Sequence, residues 1–172
     1  LTDISKADNP HYAYTDPDSA ESYLTALDQL EAYISRDGGF DGILAFSQGA
    51  GLAIQYMARK RIEGTRPLKC AILFAPTGVG DVFAWNERRE KRLLKQLPNG
   101  EKIGVPVALI WGAQDEWRDM FEKDMQLFEE KNLWGFEHEG GHEIPGLNMK
   151  TSFRGVVKVV RRAITQAVLE SG

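Results

Sequence analysis

Strand-length apolar runs alternate with helical stretches along almost the whole chain, and that alternation leaves few folds open. Cys70 to Ala75 and Val105 to Trp111 are near-continuous apolar runs, as parallel strands covered on both faces require. Phe40 to Phe46 and Leu133 to His138 are two further runs of strand length. Gln48 to Arg61 reads as a helix whose small and apolar residues, Ala50, Gly51, Ala53, Ile54 and Met57, allow close packing on a sheet. Trp117 to Lys131 is a second helical stretch, with Met120, Phe121, Met125, Leu127 and Phe128 on its apolar face, and Thr151 to Leu169 is a third. Upstream, Asp18-Ser19-Ala20-Glu21 reads as a capping box with Asp18 as N-cap. Tyr23, Leu27, Leu30 and Ile34 then repeat at helical spacing until Asp37-Gly38-Gly39 ends the helix. The expectation is one α/β domain over residues 1–172, with a mostly parallel sheet flanked by helices. Residues 1–18 form a polar leader, and residues 77–103 a connection or small lid carrying a short helix.

The length of 172 residues suits a single domain with its own core. A net charge of −4 without a dense basic run argues against nucleic acid or an anionic membrane as partner. The Lys/Arg-rich stretch from Glu87 to Lys95 alternates with Glu and Leu and reads as a solvated helix face. Cys70 is the only cysteine, so no internal disulfide can form, and its apolar surroundings indicate a buried, inert thiol. No apolar stretch approaches the about 18 residues that span a bilayer, and the N-terminus lacks a signal pattern, so a cytoplasmic protein is expected. The chain opens on Leu1 rather than Met, which reads as a fragment.

Ala45-Phe46-Ser47-Gln48-Gly49 sits where an apolar strand gives way to a helix. A tight turn there lifts a serine hydroxyl above the sheet and needs small neighbours, the pattern Gly-x-Ser-x-Gly. Here the first glycine is Ala45. The Gln48 backbone N–H, at the start of the helix, is placed to donate to an oxyanion. Taken alone, Ser47 has a second reading as an ordinary helix N-cap. A serine nucleophile needs a base, and the base needs an orienting carboxylate, each in the loop after a later strand. Asp115 follows the Val105–Trp111 run and His142 follows the Leu133–His138 run, in the order serine, acid, histidine. Asp119, Glu116, His138 and His11 are their less well placed rivals. His138-Glu139-Gly140-Gly141-His142 also matches the zincin pattern, but that chemistry needs both imidazoles on one helix, and two glycines with Pro145 nearby oppose a helix. No metal or cofactor is expected.

Phe40-Asp41-Gly42-Ile43-Leu44-Ala45-Phe46-Ser47-Gln48-Gly49-Ala50 and His138-Glu139-Gly140-Gly141-His142-Glu143-Ile144-Pro145 resemble the fungal-type family of small serine hydrolases. That family, of the α/β-hydrolase superfamily, includes polyketide-releasing thioesterases and relatives of the human ovarian-tumour-associated hydrolase. The resemblance runs from about Pro17 to the last helix. It implies that Ser47, Asp115 and His142 form a triad acting on small carboxylic esters or acyl thioesters, carrier-bound acyl chains included, in fungal secondary metabolism. Two departures are Ala45 in place of the family's glycine and Ala75-Pro76-Thr77-Gly78 after the second strand. A third is that the family begins with a strand and a His-Gly loop supplying a second oxyanion donor, for which no counterpart precedes Ser47. The fold expected is therefore an α/β-hydrolase truncated at its N-terminus. The strand from Phe40 is then an exposed apolar edge, covered by a missing N-terminal segment or by a second copy in a homodimer. A different class of reading keeps the pocket for non-hydrolytic binding or biosynthesis. Phe83, Trp85, Trp111 and Trp117 read either as the lining of an apolar pocket or as core.

Overall fold

A computed structural model describes residues 13–98, 100–146 and 149–171; His11 lies outside them, as do the side chains of Phe83 and Phe121. The elements in order are α1 (Ala20–Asp37), β1 (Gly42–Phe46), α2 (Gln48–Ile62), β2 (Cys70–Phe74), α3 (Val82–Arg88), β3 (Val107–Gly112), α4 (Arg118–Asp124), β4 (Leu133–His138) and α5 (Lys150–Leu169). The four strands form one sheet in the order β1-β2-β3-β4. Every pairing is parallel.

The apolar runs are continuous because the two faces of each central strand enter different cores. Along β3, Val107 and Leu109 join the cluster beneath α1 and α2, which also holds Leu27, Ala53, Ile54, Met57 and Leu73. Their neighbours Ala108 and Ile110 face the other way, onto Phe74 and onto Val156, Val159 and Ala163 of α5. β1 differs. Ile43 and Ala45 pack on the first core, while Leu44 and Phe46 on its other face are 65% and 37% exposed. Among the described residues β1 is an edge strand of the sheet.

The expected helix over Trp117–Lys131 stops early. α4 ends at Asp124, a 3-10 turn covers Met125–Leu127, and Phe128 is extended. The reason is tertiary pairing: Ile103 N–H donates to Leu127 O (2.7 Å) and Glu129 N–H to Ile103 O (3.0 Å). This arrangement buries Ile103, Leu127 and Phe128 almost completely, which outweighs continued helix propensity. The N-cap of α1 is Ser19, whose hydroxyl accepts from Ser22 N–H, rather than Asp18. Asp18 instead pairs with Lys91 (2.8 Å). The Glu87–Lys95 stretch is helical only through Arg88; Arg89 turns left-handed (φ 59°), and Leu93 bridges back to Gly80. Cys70 is half-buried, and burial followed by the nearby Asp41 charge raises its thiol above the ordinary range. Among the described residues no helix is long and apolar enough to cross a membrane.

Asp124 ties this irregular segment to the loop after β2. Its carboxylate is 1% exposed and accepts the Val79 N–H with both oxygens (3.3 and 3.2 Å). Burial pushes it up to about 7, against the smaller pull of that hydrogen bond. An acid raised in the folded state keeps a proton that the unfolded chain has lost, so stability falls as pH rises from about 4 to about 7. Asp124→Asn keeps an acceptor for Val79 but has no charge to bury. Its melting temperature relative to wild type should therefore gain about 5 °C between about pH 5 and about pH 8. Calorimetry at both values checks this, and a constant difference contradicts it.

Candidate active site

Ser47 occupies the single residue between β1 and α2, at φ 54° and ψ −125°. A residue with a Cβ pays about 1–3 kcal/mol for such a backbone conformation. The turn is held on both sides: Ser47 N–H donates to Phe74 O (3.0 Å), extending the β1–β2 ladder, and Ser47 O accepts from Ala50 and Gly51 N–H (3.0 and 3.1 Å). Although Ser47 stands at the N-cap position, its side chain makes no capping bond. The hydroxyl turns instead to His142. Crowding around the turn matches the small residues there, since a Cβ at Gly49 would lie 3.3 Å from the Tyr14 ring. The Gln48 side chain anchors the incoming chain, accepting from Tyr14 N–H (2.8 Å) and donating to Thr15 O and Oγ1 (3.1 Å each). That leaves its backbone N–H in the first turn of α2, where no intrahelical acceptor exists.

Asp115 lies in the turn after β3, and its side chain is completely buried. It accepts from Trp117 N–H (2.9 Å) and from His142 Nδ1, 3.0 Å from Oδ2 and 3.2 Å from Oδ1. His142 Nε2 is 2.8 Å from Ser47 Oγ, and the Phe46 ring stands 5.1 Å from the imidazole, centroid to centroid. Three residues far apart in sequence thus form one hydrogen-bonded line from buried carboxylate to hydroxyl. Such a line can take the proton from the hydroxyl as it attacks, because the carboxylate stabilises the imidazolium that results. Asp119 and Glu116 are exposed and stand outside the line. His138 ends β4 and is buried. The helix that a zinc-binding H-E-x-x-H needs is not formed; residues 139–143 are a loop of bends.

The family description "Serine hydrolase (FSH1)" matches residues 4–153. The chain belongs to the serine hydrolase family. The esterase FPY3 of Fusarium mangiferae is 36% identical over 160 residues, covering 91% of this chain and 72% of that protein. The esterase alnB of Emericella nidulans is 26% identical over 131 residues, 74% of this chain and 45% of that protein. Among solved structures, the carboxylesterase of Mesorhizobium loti aligns with TM-score 0.60 at 16% identity, over 88% of this chain and 71% of that one. A fungal esterase of Rhizomucor miehei aligns with TM-score 0.52 at 15% identity, over 88% and 61%. At those identities the likeness is one of fold, and the fold is that of the α/β-hydrolases.

What the sequence of this serine hydrolase does not announce is how the loops that carry Asp115 and His142 are joined. Ala113 N–H donates to His138 O (2.7 Å) and Gln114 N–H to Gly140 O (2.9 Å). The Gln114 side chain donates to Glu139 O (3.0 Å). A Cβ on Gly112 would overlap the carbonyl oxygens of Gly140 and Gly141, so this approach needs glycine. Gly140 and Gly141 read in the sequence only as helix breakers; their closeness to Gly112 is a tertiary fact. Of the aromatics, Trp85 lines a cavity of about 270 Å³ with Tyr23, Val82, Leu93 and Met120. Trp111 instead packs on the core and donates from its indole to Glu137. Gly112→Ala should lower p-nitrophenyl ester hydrolysis about 100-fold, because displacing catalytic groups by an ångström costs that much. Circular dichroism should be unchanged, and full activity in this variant would refute the role given to Gly112.

Proposed function

We propose that this serine hydrolase cleaves carboxylic esters or acyl thioesters through an acyl-enzyme on Ser47, with His142 as the base and Asp115 as its orienting carboxylate. The observation that carries the reading is the unbroken line Asp115–His142–Ser47 at 3.0 and 2.8 Å. The Ser47 hydroxyl attacks the acyl carbon and passes its proton to His142 Nε2. The negative oxygen of the tetrahedral intermediate is stabilised by the Gln48 N–H and by the N-terminal field of α2. His142 then gives the proton to the departing alcohol or thiol, leaving Ser47 acylated. A water, deprotonated by the same imidazole, attacks the acyl carbon, and Ser47 leaves with its proton restored. Nothing in this series of steps requires a metal or cofactor.

Ser47 borders a groove of about 480 Å³ along β1, with Tyr14, Leu44, Phe46, Gln48 and Gly49 among its lining residues. Its apolar walls suit an acyl chain. An acyl thioester on a carrier protein fits the same chemistry, since attack is at the acyl carbon whichever atom leaves. A binding protein that had given up catalysis would gain nothing from holding Ser47 at a strained φ with its hydroxyl drawn away from the helix.

A fluorophosphonate probe should label the wild-type protein and leave Ser47→Ala unlabelled. Asp115→Asn should lower kcat for ester hydrolysis about ten-thousand-fold, as loss of the orienting carboxylate does elsewhere. Equal labelling of wild type and Ser47→Ala would sink the proposal.

A further inference from the structure

A second histidine stands four residues before His142 and takes no part in the proton relay. His138 closes β4 and is 2% exposed. Its Nδ1 accepts the Gly140 N–H at 3.2 Å. In this contact Nδ1 serves as the acceptor, which an imidazole nitrogen does with a free lone pair. Nε2 is itself buried and has no partner among the described residues. The Nδ1 contact is thus the polar link that orients the ring.

That link is the first in a short chain of contacts. Gly140 passes it on, because its carbonyl accepts from Gln114 N–H (2.9 Å). The Gln114 amide secures the same loop at Glu139 O (3.0 Å). Gln114 directly precedes Asp115, and Gly140 stands two residues before His142. Two adjacent glycines give this loop more conformational freedom than any other pair would, so its course depends on contacts made from outside. The Glu139 carboxylate is taken by the Ser152 hydroxyl of α5 and does not compete for the Gly140 N–H. The Glu143 carboxylate, the Met149 side chain and His138 Nδ1 all border the space where a Cβ on Gly140 would stand.

We propose that His138 is a positioning residue for the base: its Nδ1 fixes the Gly140 N–H, and so holds the loop that presents His142 to Ser47 and Asp115. This rests on the reading of Ser47, Asp115 and His142 as the catalytic line. The role belongs to the acceptor at Nδ1 and not to the bulk or charge of the ring. Substitutions can separate these. Asparagine sets its Oδ1 where Nδ1 stands, glutamine reaches instead toward the Nε2 position, and leucine offers no acceptor.

The test compares wild type with His138→Asn, His138→Gln and His138→Leu. Two readouts serve: ester hydrolysis, and the proton NMR resonance of His142 Nδ1–H, which a hydrogen bond to a buried carboxylate shifts far downfield. His138→Asn should keep kcat within about threefold of wild type, while Gln and Leu should lower it about 10–100-fold with KM changed by less than about twofold. The downfield resonance should persist in His138→Asn and be lost or broadened in the other two. If Asn is as impaired as Leu, or if Leu keeps both kcat and the resonance, the proposal is overturned. If wild type itself hydrolyses no ester, the reading of Ser47 fails, and the resonance still decides the role of His138.

Discussion

The site depends on a backbone contact between two loops, those that follow β3 and β4. Ala113 and Gln114 donate to the carbonyls of His138 and Gly140, continuing the β3–β4 pairing beyond the point where both strands end. Asp115 and His142 are carried on these laced segments, so their 3.0 Å contact follows from the sheet and not from the flexibility of either side chain. Gly112 makes the lacing sterically feasible. On the other side, the β1–β2 ladder ends in the Ser47 N–H bond to Phe74 O, which sets Ser47 against the same sheet. Asp115, His142 and Ser47 are therefore all placed by one sheet, and such placement keeps a hydrogen-bonded line aligned.

Burial explains why the line is ordered in one direction. The Asp115 side chain is fully buried, and its carboxylate accepts hydrogen bonds from Trp117 N–H and His142. A buried carboxylate so placed favours the tautomer of His142 with hydrogen on Nδ1, leaving Nε2 free to receive a proton from Ser47. Asp124 is a second buried carboxyl in the same fold. It accepts the Val79 N–H, and burial pushes its carboxyl up to about 7.

Much of this is legible in the amino-acid sequence. Continuous apolar runs at Cys70 and Val105 announce strands covered on both faces, and β2 and β3 are such strands. The residues at the ends of later strands point to Asp115 and His142 because strand ends are where an α/β sheet gathers its chemistry. Capping and helix length are less legible, since both turn on single contacts. Ser19 displaces Asp18 as cap, and the pairing of Ile103 with the segment around Phe128 cuts α4 short. Periodicity in Met120, Met125 and Phe128 carries no trace of a partner segment far upstream. Nor can spacing reveal Gly112 against Gly140, or His138 Nδ1 on Gly140 N–H, because each depends on the relative height of two neighbouring strands.

In the proposed reaction Ser47 carries the acyl group between two half-reactions. Rapid acid quenching of a p-nitrophenyl ester reaction, followed by intact-mass and peptide mass spectrometry, tests it most directly. One acyl group should appear on the peptide that contains Ser47, and accumulate further in a variant slowed at deacylation. An acyl group on any other residue, or turnover with no covalent adduct under conditions where a burst of p-nitrophenol is seen, would contradict the account.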